Sequence, residues 1–353
     1  MKAFILEEHG KAVFGEKPYP TCDEYGAIIK AIAVTPCTSD VSNTFKMTNP
    51  ESIGKTLGHE AIGEVVEVGS AVRDFKPGDR VLVPSITPDY MFTYEHQLLP
   101  SGQHSGGMLA GYKYTSEIEG VFSEYFTVIQ ADQNLALIPE GVSDKQAIMI
   151  VDMMNTGFYG AELADIQFGD TVVVYGIGPV GLMAVAGARL RGAGRIIAIG
   201  NRPITQEVAK IYGATDLVDY KLGPVTKQVK ELVGRGGVDK VIVAGGTLEA
   251  IGDGMRMIKP HGKVANIVYF AQPGNLEIPL NTWGFGMANK ELLSGCCPGG
   301  RARMERFALM VQNGMVDPSH LVTHTLHGVD AIEEAFHLMH EHPRDLIKPI
   351  VMM

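Results

Sequence analysis

The amino-acid sequence predicts an α/β protein of two domains, one rich in short β-strands and one built on a doubly wound parallel sheet. The chain has 353 residues, more than one hydrophobic core usually organises. Short apolar runs separated by turn residues fill the N-terminal part, which is typical of a small barrel or sandwich. Farther along, apolar strands alternate with helical patterns, which indicates a parallel sheet covered by helices on both faces.

The β-rich part contains five predicted strands. They are Ala27–Val34, Ala61–Val68, Arg80–Val83, Tyr125–Ile129 and Leu135–Ile138. The segment Pro84–Tyr114 has little periodicity and much Gly, Ser and His. Because unstructured stretches of that length are uncommon in compact domains unless they are functional, we interpret it as a long loop or lobe.

A helix predicted over Ser143–Ala164 opens the second part, with Ser143 and Gln146 forming a capping box at its start. The predicted strands are Thr171–Tyr175, Arg195–Ile199, Leu217–Val218, Val238–Val243 and Lys263–Tyr269. The predicted helices between them are Val180–Leu190, Thr205–Tyr212, Val225–Val233 and Leu248–Ile258. Two helices, Arg301–Val311 and Asp330–His340, and a strand, Leu346–Met352, are predicted at the C-terminal end. The strands are nearly all apolar, as strands buried on both faces should be.

Composition excludes several classes of protein. A formal net charge of -10 argues against general nucleic-acid binding, which usually needs a basic excess. Four cysteines are too few for a secreted disulfide scaffold, so we expect a reducing, cytoplasmic location. The N-terminus lacks the long apolar region of a signal peptide. The uncharged stretch Thr171–Ala188 is interrupted by glycines, which favours a strand, a turn and a helix over a membrane span.

A glycine-rich motif follows the first strand of the second part. The motif GxGxxG spans Gly176–Gly181 and opens a helix, which is the context required of a dinucleotide-binding turn. Such a helix start offers unpaired N–H groups to phosphates. The residues expected to contact the cofactor here are Gly176, Gly178, Pro179, Val180 and Gly181.

The end of the next strand indicates NADP rather than NAD. An NAD site typically places an acidic residue there to bind the ribose 2′-hydroxyl. This chain has Gly200, Asn201 and Arg202 instead, with no acid. A glycine leaves room for a 2′-phosphate, and an arginine offers it a cationic fork.

Candidate metal ligands lie at separate places in the chain. Cys37 follows an apolar strand, and His59 and Glu60 come about twenty residues later. Thiolate, imidazole and carboxylate are all zinc ligands. Each residue alone has an ordinary alternative, since a single cysteine is usually a small core residue.

The run Gly58–Gly69 resembles the zinc signature of the medium-chain alcohol dehydrogenases. The whole chain resembles their bacterial and protist NADP-dependent secondary alcohol dehydrogenase branch. The shared runs are 36–40, 58–61, 104–109, 156–164 and 297–301. The resemblance implies a GroES-like catalytic domain over 1–155 and 297–353 and a Rossmann NADP-binding domain over 156–296.

The resemblance also implies residue roles. Cys37, His59 and Asp152 are expected to hold one catalytic zinc, with Glu60 as a changeable fourth ligand, and Asp152 stands where many relatives have a cysteine. Tyr220 is expected to join Gly200 and Arg202 in binding NADP. The lobe has no cysteine, so no structural zinc is expected there. Catalytic roles fall to Ser39, His59 and Asp152.

The resemblance places Ser85, Tyr112 and Cys296 near the substrate. Ser39 is expected to hydrogen-bond the alcohol and begin a proton relay, although Ser42 stands where many relatives have a histidine. A homotetramer acting on small secondary alcohols and ketones is expected, without nucleic-acid or membrane partners. Two alternatives remain: a polyol or amino-alcohol dehydrogenase of the same superfamily, and a non-catalytic NADPH-binding scaffold.

Overall fold

The computed structural model describes residues 1–46, 50–87, 114–115, 118–270 and 274–353. They form two compact units, Met1–Asn155 with Cys297–Met353, and Thr156–Cys296. Most of the predicted lobe Pro84–Tyr114 therefore lies outside the described residues. Among those described, none of the helices combines the length and the apolar character that crossing a bilayer requires.

Strands and helices are numbered in chain order. The strands are β1 (Lys2–Glu8), β2 (Lys11–Glu16), β3 (Ala27–Val34), β4 (Ala61–Val68), β5 (Arg80–Val83), β6 (Tyr125–Val128), β7 (Ala136–Leu137), β8 (Thr171–Tyr175), β9 (Arg195–Ile199), β10 (Asp216–Val218), β11 (Val238–Val243), β12 (Ile258–Asn266), β13 (Glu291–Ser294), β14 (Val322–His327) and β15 (Lys348–Met352). The α-helices are α1 (Thr38–Lys46), α2 (Ala131–Asn134), α3 (Asp144–Met149), α4 (Asn155–Leu163), α5 (Pro179–Leu190), α6 (Pro203–Tyr212), α7 (Val225–Val233), α8 (Glu249–Met257), α9 (Arg301–Gln312) and α10 (Ala331–Glu341).

The first unit is built on a seven-stranded sheet of order β14-β15-β3-β4-β5-β7, with β6 also paired to β3. Its pairs are antiparallel except for β14 with β15. The β1–β2 hairpin belongs to this unit and packs on α10 through Phe4, whose ring lies 5.5 Å from that of Phe336. Burial of large apolar side chains such as Phe122 and Phe126 gives the unit one hydrophobic core.

The second unit is a six-stranded parallel sheet of order β10-β9-β8-β11-β12-β13. Numbered within the unit, this is the order 3-2-1-4-5-6 of doubly wound dinucleotide-binding domains. The order reverses between β8 and β11, and ligands bind such sheets at the carboxyl ends of the strands beside that switch point. The predicted α/β class and parallel sheet are confirmed.

Several elements differ from the prediction. The sequence pattern did not reveal the β1–β2 hairpin, α1, β13 or β14. The strand predicted over Lys263–Tyr269 begins at Ile258 and ends at Asn266. It ends there because the Asn266 side chain donates to the Val268 carbonyl at 3.0 Å, which turns the backbone away from the ladder.

The helix predicted over Ser143–Ala164 is present but is not regular. Its capping box is formed, since the Ser143 hydroxyl accepts from the Gln146 N–H and the Gln146 side chain accepts from the Ser143 N–H. Between α3 and α4, however, the five residues Ile150–Met154 form a π-helical turn. Such turns widen a helix locally and are frequent at functional sites.

Candidate metal centre and phosphate-binding turn

Pairing of β3 with β4 brings the first candidate ligands together. Val34, the last residue of β3, lies opposite Ala61, the first residue of β4. Cys37 follows one strand and His59 and Glu60 precede the other, so all three lie at the same end of the sheet. Residues far apart in sequence therefore converge because of an antiparallel register.

Asp152 reaches the same place from the π-helical turn. The Val151 carbonyl of that turn accepts hydrogen bonds from the Ser85 N–H and hydroxyl, both at 3.3 Å. Ser85 follows β5, the strand paired to β4, so the turn is anchored to the sheet that carries the other ligands. The predicted substrate contact Ser85 thus also fixes the backbone beside Asp152.

The four candidate ligands form a tight, mostly buried cluster. One ligand atom from each of Cys37, His59, Glu60 and Asp152 lies within 4.8 Å of the others. Asp152 Oδ2 is 3.8 Å from His59 Nε2 and 4.0 Å from the Cys37 sulfur. His59 Nε2 is 3.9 Å from Glu60 Oε1.

These separations suit a zinc ion. Ligands of a tetrahedral zinc, at bonds of about 2.0–2.3 Å, are about 3.3–3.8 Å apart, and the observed separations are only slightly wider. A thiolate, an imidazole and a carboxylate, with one changeable position, also match the chemistry of catalytic zinc sites. Glu60 Oε2 is buried and has no hydrogen-bond partner among the described residues, as expected of an oxygen that lacks its natural partner.

Asp40 orients two of the ligands. Its Oδ1 lies 3.1 Å from His59 Nδ1, and its Oδ2 accepts from the Cys37 N–H at 2.8 Å. A carboxylate on Nδ1 fixes the tautomer in which Nε2 carries the lone pair that a metal needs. The bond to Cys37 is one half of a capping box at the start of α1, so one side chain begins the helix and aims the imidazole.

A buried lysine completes the surroundings. Lys348 Nζ donates to Glu60 Oε1 at 2.9 Å and to the Pro36 carbonyl at 2.8 Å. Burial raises the pKa of Glu60 to about 7, and the Asp152 charge adds to this rise although Lys348 and His59 oppose it. Burial alone would lower the pKa of Lys348, but the negative charges of Glu60, Cys37 and Asp152 and the hydrogen bond to Glu60 together raise it.

The second unit provides a turn suited to phosphate. The helix α5 begins after Gly178 with Pro179 at its first position and no side-chain cap, which leaves its N–H groups to a ligand. A Cβ built on Gly178 would meet no atom of the described residues within 4 Å, whereas one on Gly181 would lie 1.8 Å from the Gly176 carbonyl oxygen. Gly181 is thus required for close packing, and the space beside Gly178 fits an approaching pyrophosphate.

The structure gives Gly200 a second role. A Cβ there would lie 2.3 Å from the Ile177 side chain, so packing alone requires a glycine, besides any need for space at a 2′-phosphate. Next to it, the Tyr220 hydroxyl donates to Asn201 Oδ1 at 2.9 Å. Arg202 lies immediately before α6, in extended backbone. The four predicted NADP determinants therefore belong to the carboxyl end of β9 and the turn after β10.

The remaining predicted residues are distributed over both units. Ser39 is half-buried in the first turn of α1, two residues after Cys37. Val180 is the second residue of α5, and Cys296 is a half-buried residue of the second unit. Tyr112 lies outside the described residues. The pocket roles of Ser85, Tyr112 and Cys296 stay predictions.

Two residues of the site escaped the sequence reasoning. Asp40 was seen only as part of a shared run, although an acid three residues after Cys37 is a recognisable helix-start signal. The only sequence signal for Lys348 is its charge within an apolar C-terminal strand. Burying an unpaired lysine there would cost folding free energy. Its partner, 288 residues away, could be found only from the fold.

The six parallel strands, the glycine turn and the mostly buried Cys–His–Glu–Asp cluster define a dinucleotide- and metal-dependent dehydrogenase class. Comparisons with known proteins agree with this class. Residues 23–140 match the alcohol dehydrogenase GroES-like domain family, and residues 179–312 match the zinc-binding dehydrogenase family.

The chain is 53% identical to the NADP-dependent isopropanol dehydrogenase of Thermoanaerobacter brockii, over 100% of both chains. It is 52% identical to that of Clostridium beijerinckii, again over 100% of both. A solved structure, the apo form of zinc dependent alcohol dehydrogenase 2 from Streptococcus pneumonia, matches with a TM-score of 0.87 at 26% identity, over 100% of this chain and 98% of that one. The chain belongs to the zinc-dependent medium-chain alcohol dehydrogenases, in the NADP-dependent secondary alcohol dehydrogenase branch.

Proposed function

We propose that the protein oxidises small secondary alcohols to ketones, and reduces the ketones in reverse, with NADP(H) and one catalytic zinc. The observation that carries this proposal is the mostly buried cluster of Cys37, His59, Glu60 and Asp152. Relatives at 44–53% identity named NADP-dependent isopropanol dehydrogenases support the substrate class. When bound, the zinc supplies Lewis acidity toward the alcohol oxygen and the nicotinamide supplies the hydride acceptor.

The chain's own residues prepare the site for this reaction. Cys37, His59 and Asp152 hold the metal, and Asp40 keeps His59 in the tautomer that can bind it. Ser39, in the first turn of α1, accepts the proton that the alcohol loses and passes it outward. The carboxylates are buried, so the effective dielectric constant around them is lower than in water. The lower dielectric strengthens their electrostatic interactions with the metal and with His59.

Ser42 lies one helical turn after Ser39 and is also half-buried, and the proton is proposed to leave Ser39 through water or ribose hydroxyls. Ser42 does not titrate near neutral pH, whereas histidine does. We therefore expect Ser42→His to add an ionisation near pH 6.5 to the pH profile of kcat/KM. Steady-state kinetics between pH 5 and 9 measure it, and an unchanged profile would rule out a relay through position 42.

The direct test of the function uses purified protein. We expect about one zinc per chain, reduction of NADP⁺ with 2-propanol at 340 nm, and loss of that activity after dialysis against a chelator with recovery on adding zinc. A zinc-free protein that binds NADPH without turnover would instead support a scaffold. Faster turnover of polyols than of 2-propanol would support a polyol dehydrogenase.

Cofactor choice depends on Arg202. The guanidinium is proposed to bind the 2′-phosphate, and a charge-assisted hydrogen bond of this kind contributes about 1.5–3 kcal/mol. We expect Arg202→Ala to raise KM for NADP⁺ about 10–100-fold and to leave KM for NAD⁺ nearly unchanged. Equal losses with both cofactors would show that Arg202 supports the fold and does not select the phosphate.

The metal count, assembly and location are further parts of the proposal. One catalytic zinc without a structural zinc is supported by the absence of cysteine from residues 84–114. A homotetramer is supported by exposed apolar side chains in the second unit, among them Leu280, Phe285 and Met287. Cytoplasmic location is supported by four free cysteines. Sedimentation equilibrium tests the assembly, with a monomer at micromolar concentration counting against it.

A further inference from the structure

A buried asparagine ends the π-helical turn that carries Asp152. Asn155 has 0% of its surface exposed, and its backbone N–H donates to the carbonyl of Asp152 itself. Its side-chain amide contacts the segment that precedes α9, which begins 142 residues farther along the chain at Cys297. The backbone of a candidate zinc ligand is therefore linked, through one residue, to a distant part of the same unit.

The polar groups of the Asn155 side chain are all engaged. The amide nitrogen donates to the Cys297 sulfur at 3.3 Å and to the Pro298 carbonyl at 2.8 Å. The amide oxygen accepts from Nε of Arg303, and Nη2 of the same guanidinium donates to the Asn155 backbone carbonyl at 3.4 Å. Because a guanidinium can only donate, the amide oxygen must face Arg303 and the amide has one orientation.

Arg303 is in turn held by α9 and its surroundings. It lies in the first turn of that helix, half-buried, and its guanidinium lies 4.7 Å from the centre of the Phe307 ring. The backbone just before α9 packs closely on Ile86, since a Cβ on Gly299 would lie 1.8 Å from the Ile86 carbonyl oxygen. Ile86 follows Ser85, whose N–H and hydroxyl bond the π-helical turn at its Val151 carbonyl. The turn is therefore supported at two places.

A π-helical turn needs such support to persist. It contains one residue more than an α-helical turn and occurs mostly as a single turn within an α-helix. If residues 150–154 relaxed to an α-helix, Asp152 would rotate by about 100° around the helix axis. Its carboxylate, 3.8 Å from His59 Nε2 and 4.0 Å from the Cys37 sulfur, would then leave the cluster. Cys37 and His59 would stay, because the pairing of β3 with β4 holds them.

Asn155, Arg303 and residues 297–299 together form a brace for this turn. We propose that Asn155 and Arg303 are positioning residues that hold the turn in the register at which Asp152 contacts the metal. This inference rests on the proposed function, because it assumes a zinc at the cluster. It gives a role to the run 297–301, which the candidate site otherwise leaves without one. It predicts that the turn is formed before the metal binds, and that loss of the brace removes one ligand and spares the others.

The experiment uses full-length Arg303→Met, with Arg306→Met as the matched control at an exposed position of the same helix. In Arg303→Met we expect the Kd for zinc, measured by competition with a chromogenic chelator, to rise about 10–100-fold. In the Co²⁺ form, the charge-transfer absorption of the Cys37 thiolate should persist while the visible bands shift, because Asp152 alone is displaced. A general loss of stability would not change the spectrum of folded protein. NADPH affinity should not change, because the glycine turn lies in the second unit. Arg306→Met should match the wild type throughout.

The wild-type protein decides the matter even if Arg303→Met does not fold. Hydrogen exchange followed by mass spectrometry should show protected amides in residues 150–155 both with and without zinc. Fast exchange there in folded, zinc-free wild type overturns the inference, since the metal and not the brace would then form the turn. An unchanged Kd for zinc or unchanged Co²⁺ bands in folded Arg303→Met also overturns it. Either result with an active, zinc-containing wild type rejects this inference alone. A wild type that binds no zinc rejects the proposed function.

Discussion

Asp152→Ala is expected to lose its zinc and to lower kcat/KM for 2-propanol by at least about 10³-fold. Lewis-acid stabilisation of a developing alkoxide contributes several kcal/mol, and each 1.36 kcal/mol is a factor of ten in rate. Asp152 lies 3.8 Å from His59 Nε2 and 4.0 Å from the Cys37 sulfur, so its removal takes one of three close ligands. Zinc per chain, measured by mass spectrometry beside steady-state kinetics, tests the expectation.

Asp152→Cys is the matched control. It places a thiolate in the same π-helical turn and builds the Cys₂His set known from other alcohol dehydrogenases. We expect this variant to keep about one zinc per chain and measurable activity. Both variants should retain the wild-type far-UV circular dichroism spectrum. Full zinc occupancy and turnover in Asp152→Ala would show that the reaction centre lies elsewhere.

The parallel sheet was readable from the sequence because its strands are buried on both faces. Thr171–Tyr175 and Val238–Val243 were predicted with the bounds that the structure gives them. Continuous β-branched runs with glycine turns between them have few other interpretations. The strand β14 was missed because its six residues, VTHTLH, are half-buried or exposed and carry no continuous apolar signal.

The candidate site was predictable as residues but not as geometry. Cys37, His59 and Asp152 were singled out by residue type and by resemblance, and the structure brings them together. The π-helical turn that carries Asp152 was not foreseen, since an inserted residue in a helix leaves no local sequence signal. The Lys348–Glu60 pair depends on the register of β15 against β3. Contacts between residues so far apart in sequence follow from the strand topology and cannot be predicted from the local pattern of apolar and polar residues.

Gly200 was correctly singled out from the sequence, but the sequence supplied only one of the two reasons for a glycine at this position. The sequence explained it by space for a 2′-phosphate. The structure adds that Ile177 already fills the position where a Cβ would point. Substitution with aspartate, the simple route to an NAD site, would therefore meet Ile177 before it met any cofactor.

The Gly178→Ala variant is expected to fold normally and to bind NADPH about 10–100-fold more weakly. Its Cβ would meet no atom within 4 Å in the part of the chain that the structure describes, and its φ of -73° suits any residue. Folding should therefore be unaffected. The same space is where a pyrophosphate approaches the start of α5, and an inserted methyl group in a fitted site costs about 1–3 kcal/mol. Fluorescence titration with NADPH measures the dissociation constant.

Two other glycines make the comparison decisive. Gly236→Ala adds a Cβ that likewise meets no described atom within 4 Å, at a position outside the turn, and should change neither Tm nor affinity. Gly181→Ala places a Cβ 1.8 Å from the Gly176 carbonyl oxygen, so it should lower Tm and weaken binding together. A loss of NADPH affinity without a fall in Tm, seen in Gly178→Ala alone, is expected only if the cofactor binds beside Gly178. Unchanged NADPH affinity in folded Gly178→Ala would mean that the dinucleotide does not bind across this turn.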